Sequence, residues 1–185
     1  MRAPLDGPAE RAEHGFVTAA LPSNEPQRPM LEALRTWMRE RHIRDDCDPP
    51  ERAYDDRWFR FRVGAREVPL FPLRPLRDVV VIHDVHHALT GYETDLGGEC
   101  ELAAWEVGAG GCGWNLVFWV DRLVALGLGV FLRPVRCWRA FRVGLRSHVL
   151  YGWSRHQVLA SSVAELQAAT GLEPIAPGDA ASRED

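Results

Sequence analysis

Residues 76–107 read LRDVVVIHDVHHALTGYETDLGGECELAAWEV, and the reading of this stretch decides the fold. Its first half places His83, Asp84 and His87 at the i, i+1, i+4 spacing of a helix, behind the apolar run Val79-Val80-Val81-Ile82. That β-branched run would suit a strand as well, but the spacing of the polar group favours a helix over 76–90. Gly91 and Tyr92-Glu93-Thr94-Asp95 then break the chain, and Thr94 or Asp95 can cap a second helix running to about Val107 and carrying Glu99. Two antiparallel helices joined this way can point His83, Asp84, His87 and Glu99 at one ion.

Four ligand-type side chains within seventeen positions are a strong coincidence, although a metal-free hydrogen-bond cluster is the plainer explanation of any one of them. On a helix advancing about 100° per residue, His83, Asp84 and His87 fall inside an arc of about 100°, whereas His86 lies about 60° outside it. Geometry therefore selects His87 over His86. Imidazole nitrogen and carboxylate oxygen together suit one divalent ion, with zinc first and iron or manganese as alternatives. Such a shell with open positions can bind substrate oxygens or activate water, so the residues alone do not name a reaction.

Outward from this stretch the chain reads as helices. Met30, Leu31, Leu34, Trp37 and Met38 recur at helical spacing and predict a helix over 30–43. Residues 51–76 hold Pro69, Pro72 and Pro75 among arginines and aromatics, which predicts a short helix followed by an irregular strap. Gly108, Gly110, Gly111 and Gly113 stop the second ligand helix. The apolar run Trp114–Leu132 follows, and Asp121 and Arg122 at its centre argue against a lipid-spanning helix, because each costs about 2.5–3.5 kcal/mol in mid-bilayer. It reads as a buried or membrane-apposed helix. Pro134 opens a helix predicted over 134–152, with Arg136, Arg139, Arg142 and Arg146 in a stripe. Ser162-Val163-Ala164-Glu165 has capping-box form and starts a last short helix closed by Gly171. The fold class is all-α: a single-domain helical bundle over 30–173, a Pro-rich arm over 1–29 and a tail over 174–185, both read as flexible.

With 185 residues, 46% hydrophobic side chains and a net charge of −4, the chain can bury one real core and lacks the basic footprint of a nucleic-acid reader. Its 22 basic residues are all arginine, which a GC-rich coding sequence explains without selection at the surface. Cys47, Cys100, Cys112 and Cys137 show no C-x-x-C spacing, and no apolar leader run opens the chain. Reduced thiols in a cytoplasm are therefore expected.

Several secondary candidates stand beside plainer readings. Glu106 lies two turns beyond Glu99 on the same face and can orient a ligand or carry a proton, although an exposed helix glutamate is the ordinary case. Asp95 and Glu93 can reach the ion's open side, while capping accounts for Asp95 equally well. The arginine stripe can meet anionic headgroups or a carboxylate, or be a solvated face. Trp114, Phe118 and Trp119 can line a channel for a lipid tail, or be core.

The order His83-Asp84-x-x-His87, eleven residues, Glu99, together with Ala88-Leu89-Thr90-Gly91-Tyr92, Thr94-Asp95 and Gly98-Glu99, resembles the coenzyme Q (ubiquinone) biosynthesis protein 4 family. The resemblance covers residues 76–107 closely and the later helices in outline. It implies an all-α fold, a metal usually described as zinc on His83, Asp84, His87 and Glu99, and a role in ubiquinone synthesis. The implied chemistry is oxidative decarboxylation at ring C1 of a polyprenyl-hydroxybenzoate. The implied partners are a prenylated quinone precursor, quinone-biosynthesis enzymes, a membrane surface on the inner face of the cytoplasmic membrane and a second copy of the chain. Gly97-Gly98 and the extra His86 depart from the family pattern and indicate a divergent bacterial branch. Two alternatives stand beside this one. The first is a non-enzymatic prenyl-lipid scaffold, and the second is a His-Asp phosphohydrolase that would recruit His42 and Asp121.

Overall fold

The structure is a computed structural model, described here for residues 27–43, 48–63, 66–72 and 74–172. Seven α-helices dominate the described residues: α1 Met30–Glu40, α2 Arg77–Thr90, α3 Leu96–Gly108, α4 Leu116–Leu132, α5 Pro134–Gly144, α6 Arg155–Ala160 and α7 Val163–Thr170. The helical fold class is as expected. Most of the predicted arm and the tail lie outside the described residues. The arm's last positions are structured: Pro29 bridges Ser162, the Met30 N–H donates to the Ser161 carbonyl at 2.8 Å, and the Val163 N–H donates to the Arg28 carbonyl at 3.0 Å.

The region predicted as a short helix and an irregular strap takes a more regular form. A 3₁₀ turn spans Pro50–Asp55, and an antiparallel hairpin follows, with β1 Trp58–Val63 paired to β2 Arg66–Pro72. The prolines that forbid a long helix are compatible with this hairpin, because both strands of a two-stranded sheet are edges and an edge strand has unpaired positions that need no N–H. The register slips between Phe59 and Arg60, where β2 carries one extra residue.

Two apolar clusters form the core. One joins Met30, Leu34, Trp37 and Met38 of α1 to Val81, Ile82, Val85 and Leu89 of α2, and to Val158 and Leu166. The other joins Leu102, Ala104 and Trp105 of α3 to Cys137 and Ala140 of α5. Helix α5 ends at Gly144, well short of the predicted 152, where it lies tight against α3. A Cβ on Gly144 would lie 2.2 Å from the Trp105 carbonyl oxygen, so only glycine permits this spacing. The chain then turns, and α6 begins under a capping box of Ser154 and Gln157.

Helix α4 departs most from a core helix. Only Phe118, Arg122 and Gly129 are buried on it, while Leu116, Val120, Leu123, Val124 and Phe131 face outward. The buried alternative for this run is therefore corrected. Hydropathy alone cannot separate a core helix from one with an apolar outer face, because both place long apolar runs in the sequence. Among the described residues no helix is long and apolar enough to cross a membrane.

Candidate metal centre

Helix α2 presents its histidines because Val81, Val85 and Leu89 anchor its opposite side in the first core cluster. It ends at Gly91, whose positive φ of 75° turns the chain so that the Gly91 N–H caps the His87 carbonyl at 2.9 Å. That turn also brings the Tyr92 carbonyl to His87 Nδ1 at 2.9 Å. Asp95 then caps α3 by accepting the Gly98 N–H at 2.7 Å. A Cβ on Gly98 would lie 2.0 Å from the Glu93 carbonyl oxygen, so this glycine lets the loop close directly before Glu99.

The result is a group of three: ligand atoms of His83, His87 and Glu99 lie within 4.8 Å of one another between α2 and α3, and they could hold a metal ion. His87 Nε2 stands 3.1 Å from Glu99 Oε1, and His83 Nε2 stands 3.4 Å from Glu99 Oε2. The Nδ1 atoms are already committed. A carbonyl can only accept, so His87 Nδ1 carries its proton toward Tyr92. His83 Nδ1 faces Glu106 Oε1 at 3.3 Å. His87 therefore meets an acceptor at both nitrogens, a mismatch that a cation between its Nε2 and Glu99 would relieve, whereas His83 Nδ1 also lies 3.4 Å from Arg122 Nη1, which can only donate. Imidazoles oriented through Nδ1 and aimed through Nε2 at a shared carboxylate have the form of metal-ligating histidines.

Asp84 does not join this group. Its carboxylate takes the Tyr54 hydroxyl at 2.5 Å, so the predicted fourth ligand is directed to the 3₁₀ turn. Burial pushes the Asp84 carboxyl up, against the pull of His83 and Tyr54. Burial and the Asp84 charge keep Tyr54 a neutral hydroxyl.

His86 has a different role. Its Nε2 accepts the Leu150 N–H at 3.0 Å and its Nδ1 donates to Glu106 Oε1 at 2.8 Å, so both nitrogens are satisfied in one neutral tautomer. Burial lowers its pKa accordingly. Glu106, expected as an exposed helix residue in the ordinary case, is instead fully buried. Its Oε1 also accepts the Tyr151 hydroxyl at 2.5 Å, and its Oε2 faces Arg122 Nη1 at 3.4 Å. Arg122 reaches Glu99 Oε2 as well, at 3.5 Å.

Burial opposes charge throughout this cluster, and the partners overcome it. Burial and the Arg122 guanidinium work against a charge on His83, but Glu106 and Glu99 outweigh them and raise its imidazole to about 10. Against the same burial, His83 and His87 hold Glu99 far below the usual carboxylate range, and His83 and His86 do so for Glu106. Without a cation His83 takes up a proton; a divalent ion would supply the same positive charge at the same place.

Tyr54, Arg122, Leu150 and Tyr151 had no signal in the local spacing, since each reaches the centre from a distant element. Of the other candidates, Asp95 caps α3 and lies 3.6 Å from Arg133, and Glu93 pairs with Arg41 at 3.2 Å. Arg136 binds Glu101 at 2.9 Å. Phe118 is buried edge-on to His83, with ring centroids 5.7 Å apart, Trp119 donates to the Gly113 carbonyl at 2.8 Å, and Trp114 is fully exposed. His42 is exposed after α1. Cys100, Cys112 and Cys137 are free, buried thiols. Comparison with family models, curated proteins and solved structures finds no match to this chain.

Proposed function

We propose that this chain is a metal-dependent protein of ubiquinone biosynthesis that acts on the aromatic head group of a prenylated quinone precursor. The observation that carries the reading is the convergence of two Nδ1-committed imidazoles and Glu99 on one point. His83, His87 and Glu99 would hold the ion, with zinc favoured and iron or manganese as alternatives. When bound, the ion supplies Lewis-acid charge for an oxygen of the head group. The chain's own residues fix the geometry: Tyr92 and Glu106 orient the imidazoles, and Phe118 closes the side next to His83. Asp84, beside the centre and bonded to Tyr54, is a proton carrier in this reading.

In the proposed reaction the ring C1–carboxyl bond breaks with loss of carbon dioxide and a C1–O bond forms. Dioxygen supplies the oxygen, and an external two-electron donor reduces its second atom to water. The apolar outer face of α4, with the exposed Trp114 just before the helix, lies on the side opposite the buried Phe118 and Arg122 and offers a seat for a prenyl lipid or the cytoplasmic face of a membrane. The same face suits a scaffold that presents prenyl lipids to quinone-biosynthesis enzymes without turnover. The phosphohydrolase alternative lacks its further ligands, because His42 and Asp121 do not join the His83, His87, Glu99 group.

The deciding experiment is replacement of His83, His87 or Glu99 by Ala, with metal content and quinone production measured together. Loss of both with the fold intact is expected. Retained quinone production in a metal-free variant would sink the proposal, and prenyl-lipid binding without turnover by the intact protein would favour the scaffold.

A further inference from the structure

The Arg122 guanidinium, on a residue only 6% exposed, is ringed by ligand-type atoms from three carboxylates. Nη2 lies 2.5 Å from Asp121 Oδ2 and 3.5 Å from Glu99 Oε2, Nη1 lies 3.4 Å from Glu106 Oε2, and Nε lies 3.0 Å from Asp121 Oδ2. Nη1 also stands 3.4 Å from His83 Nδ1. Glu99 belongs to two groups at once: its Oε1 faces His87, and its Oε2 faces both His83 and Arg122. The Asp121 side chain is 60% exposed and opens the ring to solvent. The approaches to Glu99 and Glu106 exceed the roughly 2.7–2.9 Å of a committed charge-assisted bond, so toward these two carboxylates Arg122 acts as a charge more than as a directed donor.

Two acidic side chains lie on one face of α3, and an uncompensated buried charge is strongly destabilising. The candidate ion between α2 and α3 would offset Glu99. Glu106 commits Oε1 to His83, His86 and Tyr151, which leaves Oε2 for a cation, and Arg122 supplies it. An arginine keeps its charge here and has no coordination position to offer. We propose that Arg122 stands in for a second metal ion and restricts the centre to one exchangeable ion. The inference rests on the reading of the metal centre given above and adds its nuclearity. Two-metal sites hold their ions about 3.5–4 Å apart and clamp the attacking and leaving oxygens of a displacement. With a guanidinium in the second position, a ligand oxygen meets one open coordination shell beside a fixed donor. The centre then suits polarisation of a ligand at a single ion, not a two-ion phosphoryl displacement. A guanidinium that only neutralised Glu106 would leave no ion-binding ring behind when removed.

The test is equilibrium dialysis of the full chain against manganese(II), with bound ions counted by mass spectrometry and their coupling read by electron paramagnetic resonance. Wild type is expected to hold one ion with the spectrum of an isolated centre. Arg122→Ala should hold one ion more than wild type and show two coupled ions. Adding Asp121→Asn, at the exposed edge of the ring, should leave the first ion in place and weaken the extra one about tenfold or more, the lower end of what even an outer partner is worth. Where Arg122→Ala unfolds in chelator, manganese(II) should restore the fold, since the extra ion replaces the lost charge, and circular dichroism follows this. Two ions in wild type, no more ions in Arg122→Ala than in wild type, an extra ion indifferent to Asp121→Asn, or an Arg122→Ala chain that manganese(II) cannot refold would each overturn the assignment. The two readings fail separately. No ion in wild type beside one in Arg122→Ala removes the His83, His87, Glu99 centre and keeps the second-cation position, whereas one ion in both keeps the centre and removes only the role of Arg122.

Discussion

His86 Nδ1 lies 2.8 Å from Glu106 Oε1 while the Nε2 of the same ring accepts the Leu150 N–H at 3.0 Å, and this double engagement takes the third histidine of the motif out of the candidate metal site. The ring ties α2 to α3 and to the segment after α5. Replacing His86 by Phe should therefore leave the metal content unchanged. It should cost about 1–3 kcal/mol for each buried group left without a partner. Denaturant unfolding and metal analysis on one preparation check this, and a variant that loses metal at full stability would return His86 to the ligand set.

Glu106 should act on the metal without touching it. Its carboxylate holds His83 through Nδ1 and is itself fixed by His86, Tyr151 and Arg122. Glu106→Gln preserves shape but weakens the grip on the imidazole, and an orienting partner of this kind is worth about 10–100-fold in metal affinity. Competition with a chromophoric chelator measures the change. A variant less stable than wild type but equal in affinity would reduce Glu106 to a packing role.

The pH dependence of stability should reverse sign when metal is added. In the metal-free protein His83 is raised from 6.5 to about 10, so the stability it contributes is fully present below 6.5 and is lost as pH rises through 10. Glu106 is held well below 4.5, so its contribution is present above 4.5 and is lost as pH falls toward the folded value. A metal ion must displace the histidine proton, hence its affinity rises with pH. Thermal unfolding with chelator should show a midpoint that falls from about pH 6.5 upward, and the gap between metal-loaded and chelated protein should widen over the same range. A constant gap would mean that no histidine proton is exchanged for the ion.

What was legible in the sequence is what helical periodicity reports. The spacing of His83, His87 and Glu99 put three ligand-type groups at one point, and the same arithmetic separated His86 from them. Asp84 shows the limit of that arithmetic. It lies on the predicted arc, yet Tyr54, thirty residues upstream on a turn with no periodic signal, offers it a hydroxyl. Arg122 and Tyr151 were illegible for the same reason, since long-range partners leave no local spacing. The hairpin escaped because prolines that exclude a helix are equally at home on an edge strand. Helix α6 had a readable signal in Ser154 and Gln157, the capping-box pattern that located α7, but the helix predicted over 134–152 drew the boundary past it.

The outer face of α4 supplies the last prediction. Leu116, Val120, Leu123, Val124 and Phe131 share an arc about 100° wide on a regular helix, opposite the buried Phe118, Arg122 and Gly129. Phe131 is 87% exposed, and Trp138 and Leu145 of the neighbouring segment are each 60% exposed. Scattered exposed apolar side chains need no explanation, but a continuous face of this kind marks a surface that something covers. Arg139, Arg142 and Arg146 nearby are exposed and cationic, which suits an anionic bilayer. The double variant Val120→Glu/Val124→Glu should lose sedimentation with phosphatidylglycerol vesicles while keeping its unfolding midpoint and metal content, because neither side chain contributes to the core. Sedimentation velocity without lipid tests the competing occupant. A wild-type dimer that the double variant converts to monomer, with vesicle binding unchanged, would assign this face to a second copy of the chain.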